Sequence, residues 1–136
     1  MLNVMSPDRR TRPWTTRRVA LNGAITRVLI VDDNANGALA LAAYLTLDGM
    51  ICRTAFGGRE AIVIGTAWTP HVILMDISMP ECNGFDATRV LRQEPRTESI
   101  AIVAHRALDE TEVRLQATAD EFDGYVQKGR PASGSR

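Results

Sequence analysis

A chain of 136 residues, 45% hydrophobic and 24% charged, has room for one globular domain with its own core, and no apolar run approaches the length of a membrane span. The formal net charge is zero, but residues 1–25 hold five arginines (9, 10, 12, 17 and 18) against the single acid Asp8, so the remainder is acidic. The two cysteines, Cys52 and Cys82, match neither a metal-ligand spacing nor a disulfide framework, which makes a reducing cytoplasm the default compartment.

Residues 1–25 lack hydrophobic periodicity and carry Pro7, Pro13 and Gly23. They read as a basic, disordered arm, solvated rather than engaged with nucleic acid. Residues 16–21 have the paired arginines and short apolar run of an export signal. Asn22, Gly23 and Arg27 interrupt that run, and cleavage beyond it would remove the first strand.

From residue 26 onward, short continuous apolar runs alternate with helical patterns, the signature of βαβ units and a parallel α/β sheet. Strands are expected at 27–31, 50–55, 72–75, 100–104 and 124–127, and helices at roughly 35–47, 58–67, 84–93 and 109–119. In the first helix Ala38, Leu41, Ala42 and Leu45 form a stripe that would face the sheet. Gly49 is its stop signal, because glycine adopts a left-handed C-cap cheaply. Gly57 and Gly58 separate the second strand from the second helix, and Thr69-Pro70 breaks the chain before the third strand. The runs 28–31 and 72–75 are apolar at every position, as strands covered on both faces require. The domain then spans 26–128, with 129–136 as a short flexible tail. Eight residues after Lys128 cannot form an amphipathic helix, so the sheet is expected to lack its last covering helix. A partner, a second copy of the chain, or the arm segment with Trp14, Val19 and Leu21 would have to cover the exposed apolar surface.

Four of the apolar runs end on charged groups: Asp32-Asp33, Asp76, Arg106 and Lys128, the last being the only lysine in the chain. In a doubly wound sheet, ligands gather beyond the carboxyl ends of the strands. Clustered carboxylates repel one another unless protonated or bridged by a cation, and a hard divalent ion such as Mg2+ suits oxygen ligands. A lysine beside them supplies a point charge for a phosphoryl group.

The segment Asp76-Ile77-Ser78-Met79-Pro80-Glu81-Cys82-Asn83-Gly84 reads D-x-x-M-P-x-x-x-G. Together with the acidic pair at 32–33 and the lysine at 128, it closely resembles the receiver domain of two-component response regulators, over about residues 26–128. The resemblance implies a flavodoxin-like sheet of five parallel strands in the order 2-1-3-4-5. It implies that Asp76 is the phosphoacceptor, taking a phosphoryl group from a phosphohistidine on a sensor histidine kinase or phosphotransfer protein. Asp33 and Asp76 would bind Mg2+ directly, Asp32 mostly through water, and the backbone carbonyl of Ser78 would be a further ligand. Lys128 would contact the transferred phosphoryl oxygens, and Tyr125 matches an aromatic that changes rotamer on phosphorylation. With no output domain in the chain, a downstream protein partner would be acted on in trans. Such a domain is not an enzyme in the ordinary sense, although it assists its own phosphorylation and dephosphorylation.

Two positions depart from that pattern. Where the family has a Ser or Thr at the end of the fourth strand, this chain has Arg106, and where it has a proline after the lysine, this chain has Gly129. A guanidinium can donate paired hydrogen bonds to phosphate, or it can pair with unphosphorylated Asp76 and occupy the site. Losing the proline loosens the turn that aims Lys128. These departures support an alternative: a degenerate receiver acting as a phosphorylation-independent protein-interaction module. A Mg2+-dependent phosphohydrolase would also use an aspartate nucleophile, but it needs a second acid where this chain has Ser78. Plainer readings exist residue by residue. Asp32 and Asp33 could cap the first helix, Lys128 could be a surface lysine, and Tyr125 could be packing alone. His105 has no ligand partner at a recognisable spacing, and Gly57-Gly58 lacks the rest of a phosphate loop.

Overall fold

Strands whose two faces are both apolar need a layer on each side, and the chain supplies those layers by alternating strand and helix. The computed structural model describes residues 2–3, 11–13, 18–19, 21–77, 79, 83–106 and 122–127, and at 2–3, 11–13, 18–19, 106 and 125–127 it describes the backbone alone. The elements in chain order are β1 (Leu2–Asn3), β2 (Thr11–Pro13), β3 (Arg18–Val19), β4 (Arg27–Val31), α1 (Ala35–Leu47), β5 (Ile51–Ala55), α2 (Gly58–Trp68), β6 (Val72–Asp76), α3 (Gly84–Gln93), β7 (Ala101–Arg106) and β8 (Gly124–Gln127).

β5, β4, β6, β7 and β8 are neighbours in that order and all run parallel, which is the anticipated 2-1-3-4-5 arrangement. The sheet has one strand more than expected: β2 pairs antiparallel with β8, with Pro13 opposite Gly124. So the segment read as an arm lends three residues to the sheet edge. Three residues ending in proline carry no periodic signal, and an edge is where proline is tolerated in a sheet. β1 and β3 form a separate antiparallel pair. The expected helix at 109–119 and everything after Gln127, including the question of a last helix, lie outside the described residues.

Strand parity divides the core into two layers. Leu29, Val31, Ile73, Met75, Ile102 and Ala104 face one side, where they pack with Ala61 of α2 and Ala87 and Leu91 of α3. Val28, Ile30, Val72, Ala101 and Val103 face the other, against Ala38, Leu41, Ala42 and Leu45 of α1. That is the stripe anticipated for the first helix. Burial of a side chain such as Leu29, Ile30 or Ile102, each almost fully buried, contributes on the order of 1.5–3 kcal/mol. One such residue is therefore a large share of a typical domain's net stability, and the strand ends are held by this core.

Helix ends follow the sequence signals. Asn34 caps α1, its Oδ1 accepting from Gly37 N at 3.1 Å. Gly49, at φ +93°, closes the helix in a Schellman turn in which Gly49 N donates to Thr46 O and Met50 N to Leu45 O. The break at Thr69-Pro70 takes a different form from the extended residue that a following proline favours. Thr69 is left-handed at φ +46°, and its N–H closes α2 on Gly65 O. The Thr69 carbonyl accepts from Arg27 Nη2 at 2.6 Å.

His71 extends the pairing of β4 with β6. Its N–H donates to Arg27 O at 3.0 Å, and its Nδ1 accepts from Arg27 N at 2.9 Å. Desolvation, then the Arg27 charge, lowers its pKa below the ordinary 6.5. The unfolded chain therefore takes up this proton first as the pH falls. The stabilisation is complete above 6.5, is lost as the pH falls below that value, and levels off once the folded imidazole is itself protonated. An NMR titration should place His71 below the ordinary imidazole range. His71→Asn, which keeps an acceptor for Arg27 N, should remove that part of the acid loss of stability.

Glycines 84 and 37 both sit in the first turn of a helix, yet they predict opposite outcomes. A Cβ on Gly84 would collide with the Asp76 carbonyl oxygen and lie 2.7 Å from Ile77 Cα. Neither is a flexible side-chain end, so the backbone would have to move. A Cβ on Gly37 would meet nothing closer than Asn34 Cγ at 3.6 Å. In denaturant titrations Gly37→Ala should stabilise by about 0.5 kcal/mol, whereas Gly84→Ala should destabilise by about 1–3 kcal/mol.

Candidate functional site

β4 and β6 are adjacent and in register from Val28↔Val72 to Val31↔Met75. The residues that follow, Asp32-Asp33 on one strand and Asp76 on the other, therefore reach the same rim. Carboxylate oxygens of Asp32, Asp33 and Asp76 all lie within 4.8 Å of one another. Asp32 is 4% exposed and Asp76 1%, while Asp33 is open to solvent.

Local structure fixes each acid. Asp32 continues the sheet by one rung, its N–H donating to Ala55 O at 3.0 Å, and its Oδ1 accepts from Asn34 N at 2.9 Å. That Asx turn leads directly into α1. The side chain that caps α1 belongs to Asn34, so the helix does not need Asp33 for this role. Asp76 ends β6, and the motif after it is anchored by burial: Ile77 and Met79 both enter the core. Gly84 N then donates to Ile77 O at 3.2 Å, which brings the start of α3 against the backbone of Asp76 and Ile77. The last position of D-x-x-M-P-x-x-x-G is glycine because of this contact. Asn83 caps α3 by accepting from Asp86 N at 3.0 Å.

The remaining site residues are placed only in part. Asp76 pairs with His105, and Arg106 pairs with Gln127. The backbone of Arg106 thus stands one residue beyond the level of Asp76 on the neighbouring strand. Tyr125 lies in β8 opposite Ala104, and the side chains of Arg106 and Tyr125 are outside the described residues, as are Ser78 and Lys128 altogether.

Three carboxylates this close repel strongly. At about 5 Å and an effective dielectric near 20, each ionised pair costs about 3 kcal/mol. Protonation or a cation relieves that cost. Every donor in the group is a carboxylate oxygen, the set preferred by Mg2+ and other hard divalent ions. Two donors are buried and one faces water. The donor chemistry fits the ion that the sequence implies.

A second charged group was not legible beforehand. Asp123, 1% exposed, accepts from Ile102 N at 2.9 Å and from Arg92 Nη2 at 2.8 Å. Arg92 Nη1 also donates to Glu98 O at 3.0 Å and Ile100 O at 2.6 Å. This pair ties the end of α3 to the starts of β7 and β8. Phe122 adds an edge-on contact with Phe85, with ring centroids 5.8 Å apart. An arginine and an aspartate 31 residues apart carry no sequence signal of contact.

Comparison with known proteins agrees with the geometry. The family model of the response regulator receiver domain matches residues 28–132. PilH of Pseudomonas aeruginosa is 35% identical over 104 residues, covering 76% of this chain and 86% of PilH. PleD of Caulobacter vibrioides is 32% identical over 102 residues, but the chain spans only 22% of its length. Among solved structures, chemotaxis protein CheY4 of Vibrio cholerae superimposes with a TM-score of 0.74 at 25% identity, covering 79% of this chain and 90% of CheY4. The receiver domain of sensor histidine kinase PA1611 from Pseudomonas aeruginosa, whose structure holds a magnesium ion in the active site cleft, gives 0.70 at 26% identity over 79% of this chain and 88% of that one. With these matches and three acids at the carboxyl rim of a 2-1-3-4-5 parallel sheet, the chain belongs to the receiver domain family of two-component response regulators.

Proposed function

We propose that this receiver takes a phosphoryl group onto Asp76 from a sensor histidine kinase or phosphotransfer protein, with Mg2+ held at the acidic rim. The observation that carries the reading is the convergence of Asp32, Asp33 and Asp76 within 4.8 Å. In this reading Asp33 and Asp76 ligate the ion directly, Asp32 acts through water, and the Ser78 carbonyl completes the protein donors. When bound, the ion offsets charge on the carboxylates and on the incoming phosphoryl oxygens.

The chain's own residues then have separable tasks. Asp76 Oδ attacks the phosphorus of the phosphohistidine; the new O–P bond forms as the N–P bond breaks, and the imidazole leaves with the electron pair. The core behind β6 fixes the attacking oxygen, so positioning rather than covalent chemistry does most of the work. Lys128 offsets charge on the transferred group. Tyr125 reports the change through its rotamer, and the signal passes by contact to a downstream protein. Autodephosphorylation follows when water attacks the acyl phosphate. The reading places the protein in the cytoplasm; among the described residues no helix is long and apolar enough to cross a membrane. Arg106 and Gly129 favour a second reading, a receiver that binds its partners without being phosphorylated.

Incubation with acetyl phosphate and Mg2+ separates the two. Intact-mass measurement should show one added phosphoryl group on the wild type, sensitive to hydroxylamine as an acyl phosphate is. The label should be absent from Asp76→Asn and reduced by chelation. Absence of label on the wild type at saturating Mg2+, with beryllofluoride also failing to bind, would favour the phosphorylation-independent module.

A further inference from the structure

β6 and β7 run parallel as neighbours, with Val72 opposite Ala101 and Asp76 opposite His105. Adjacent strands lie about 4.8 Å apart. A residue charged at every working pH is therefore built into the chain one strand away from Asp76 and one residue nearer the rim, where three carboxylate oxygens sit within 4.8 Å of one another. A guanidinium has donors but no lone pair to offer a metal. It can lower the negative charge of the rim without joining the coordination sphere.

Charge gives the sign of the effect. A positive residue at 106 lowers the net negative charge of the rim by one relative to an uncharged residue there. Attraction for a dication scales with that net charge, so the arginine makes the rim a weaker cation site.

We propose that Arg106, set at the end of β7 beside the Asp32–Asp33–Asp76 rim, is a fixed counter-ion that lowers the affinity of this receiver for Mg2+. The proposal rests on the metal reading given above. It assigns Arg106 a positioning role toward the ion through charge: the site fills only at higher free Mg2+, and phosphoryl uptake by Asp76 acquires a Mg2+ threshold. The charge of the side chain rather than its bulk is the operative property. Lysine should therefore preserve the effect and glutamine should abolish it.

Isothermal titration with MgCl2 at constant ionic strength tests this on the full chain, comparing wild type, Arg106→Gln, Arg106→Lys and Asp33→Asn, each first confirmed as folded by its thermal melt. Arg106→Gln should bind Mg2+ about tenfold more tightly than wild type, a charge effect of order 1.4 kcal/mol. Arg106→Lys should stay near wild type, and Asp33→Asn should bind more weakly. Equal affinities for wild type and Arg106→Gln, with Asp33→Asn still weakened, would overturn the counter-ion while leaving the metal site in place. Tightening by Arg106→Lys as large as that by Arg106→Gln would overturn it too, since bulk would then be the cause. Mg2+ binding unaffected by Asp33→Asn, or absent in every variant, would overturn the metal reading itself.

Discussion

Repulsion among three carboxylates at one end of the sheet is the constraint around which this domain is arranged. Two of them, Asp32 and Asp76, are buried, where water cannot screen them well and an ionised pair is costly. A fold can retain such a group only if the backbone holds it in place and a cation or proton offsets its charge. Here the backbone part is met by the two central strands. β4 and β6 are in register up to Val31↔Met75, so the acids are the next residues on adjacent, fully covered strands. Moving the backbone of Asp32 or Asp76 away would pull Val31 or Met75, both fully buried, toward solvent, at a cost comparable to the repulsion relieved.

The same logic explains the elements around the rim. Asn34, by capping α1, leaves the Asp33 carboxylate open to solvent and to an ion. Gly84 lets α3 begin in contact with the Asp76 backbone, where a side chain would force the loop outward. At the opposite ends of β7 and β8, Arg92 and Asp123 solve a like problem with protein groups alone: a buried carboxylate is matched by a guanidinium and a backbone N–H. One end therefore ties its buried acid to an arginine, while the other gathers three carboxylates within 4.8 Å of one another. That asymmetry distinguishes the candidate site at one end of the sheet from the structural tie at the other.

Much of this was readable from the chain because the relevant signals are local. The boundaries of β4, α1, α3 and β8 match the expected spans residue for residue, since apolar runs and caps are short-range features. The acid cluster was readable because strand ends in a doubly wound sheet share a rim, so position along the strand stands in for position in space. The Arg92–Asp123 pair escaped because its partners come from separate elements and neither type is unusual where it stands. The edge strand β2 escaped because three residues ending in Pro13 show no periodicity. Ser78 and Lys128 were singled out by motif and spacing, and they fall outside the described residues. Their roles rest on the family resemblance and on the proposal built upon it.

The central claim is that the three acids form one electrostatic unit that a divalent ion relieves. Thermal melts of wild type and Asp33→Asn, with and without Mg2+, test it most directly. The account predicts that Mg2+ raises the wild-type melting temperature by a few degrees. It also predicts that Asp33→Asn melts higher than wild type without metal, because one repulsive charge is gone, and gains little when Mg2+ is added. A variant that melts no higher than wild type in the absence of metal, and still gains the full Mg2+ shift, would contradict it.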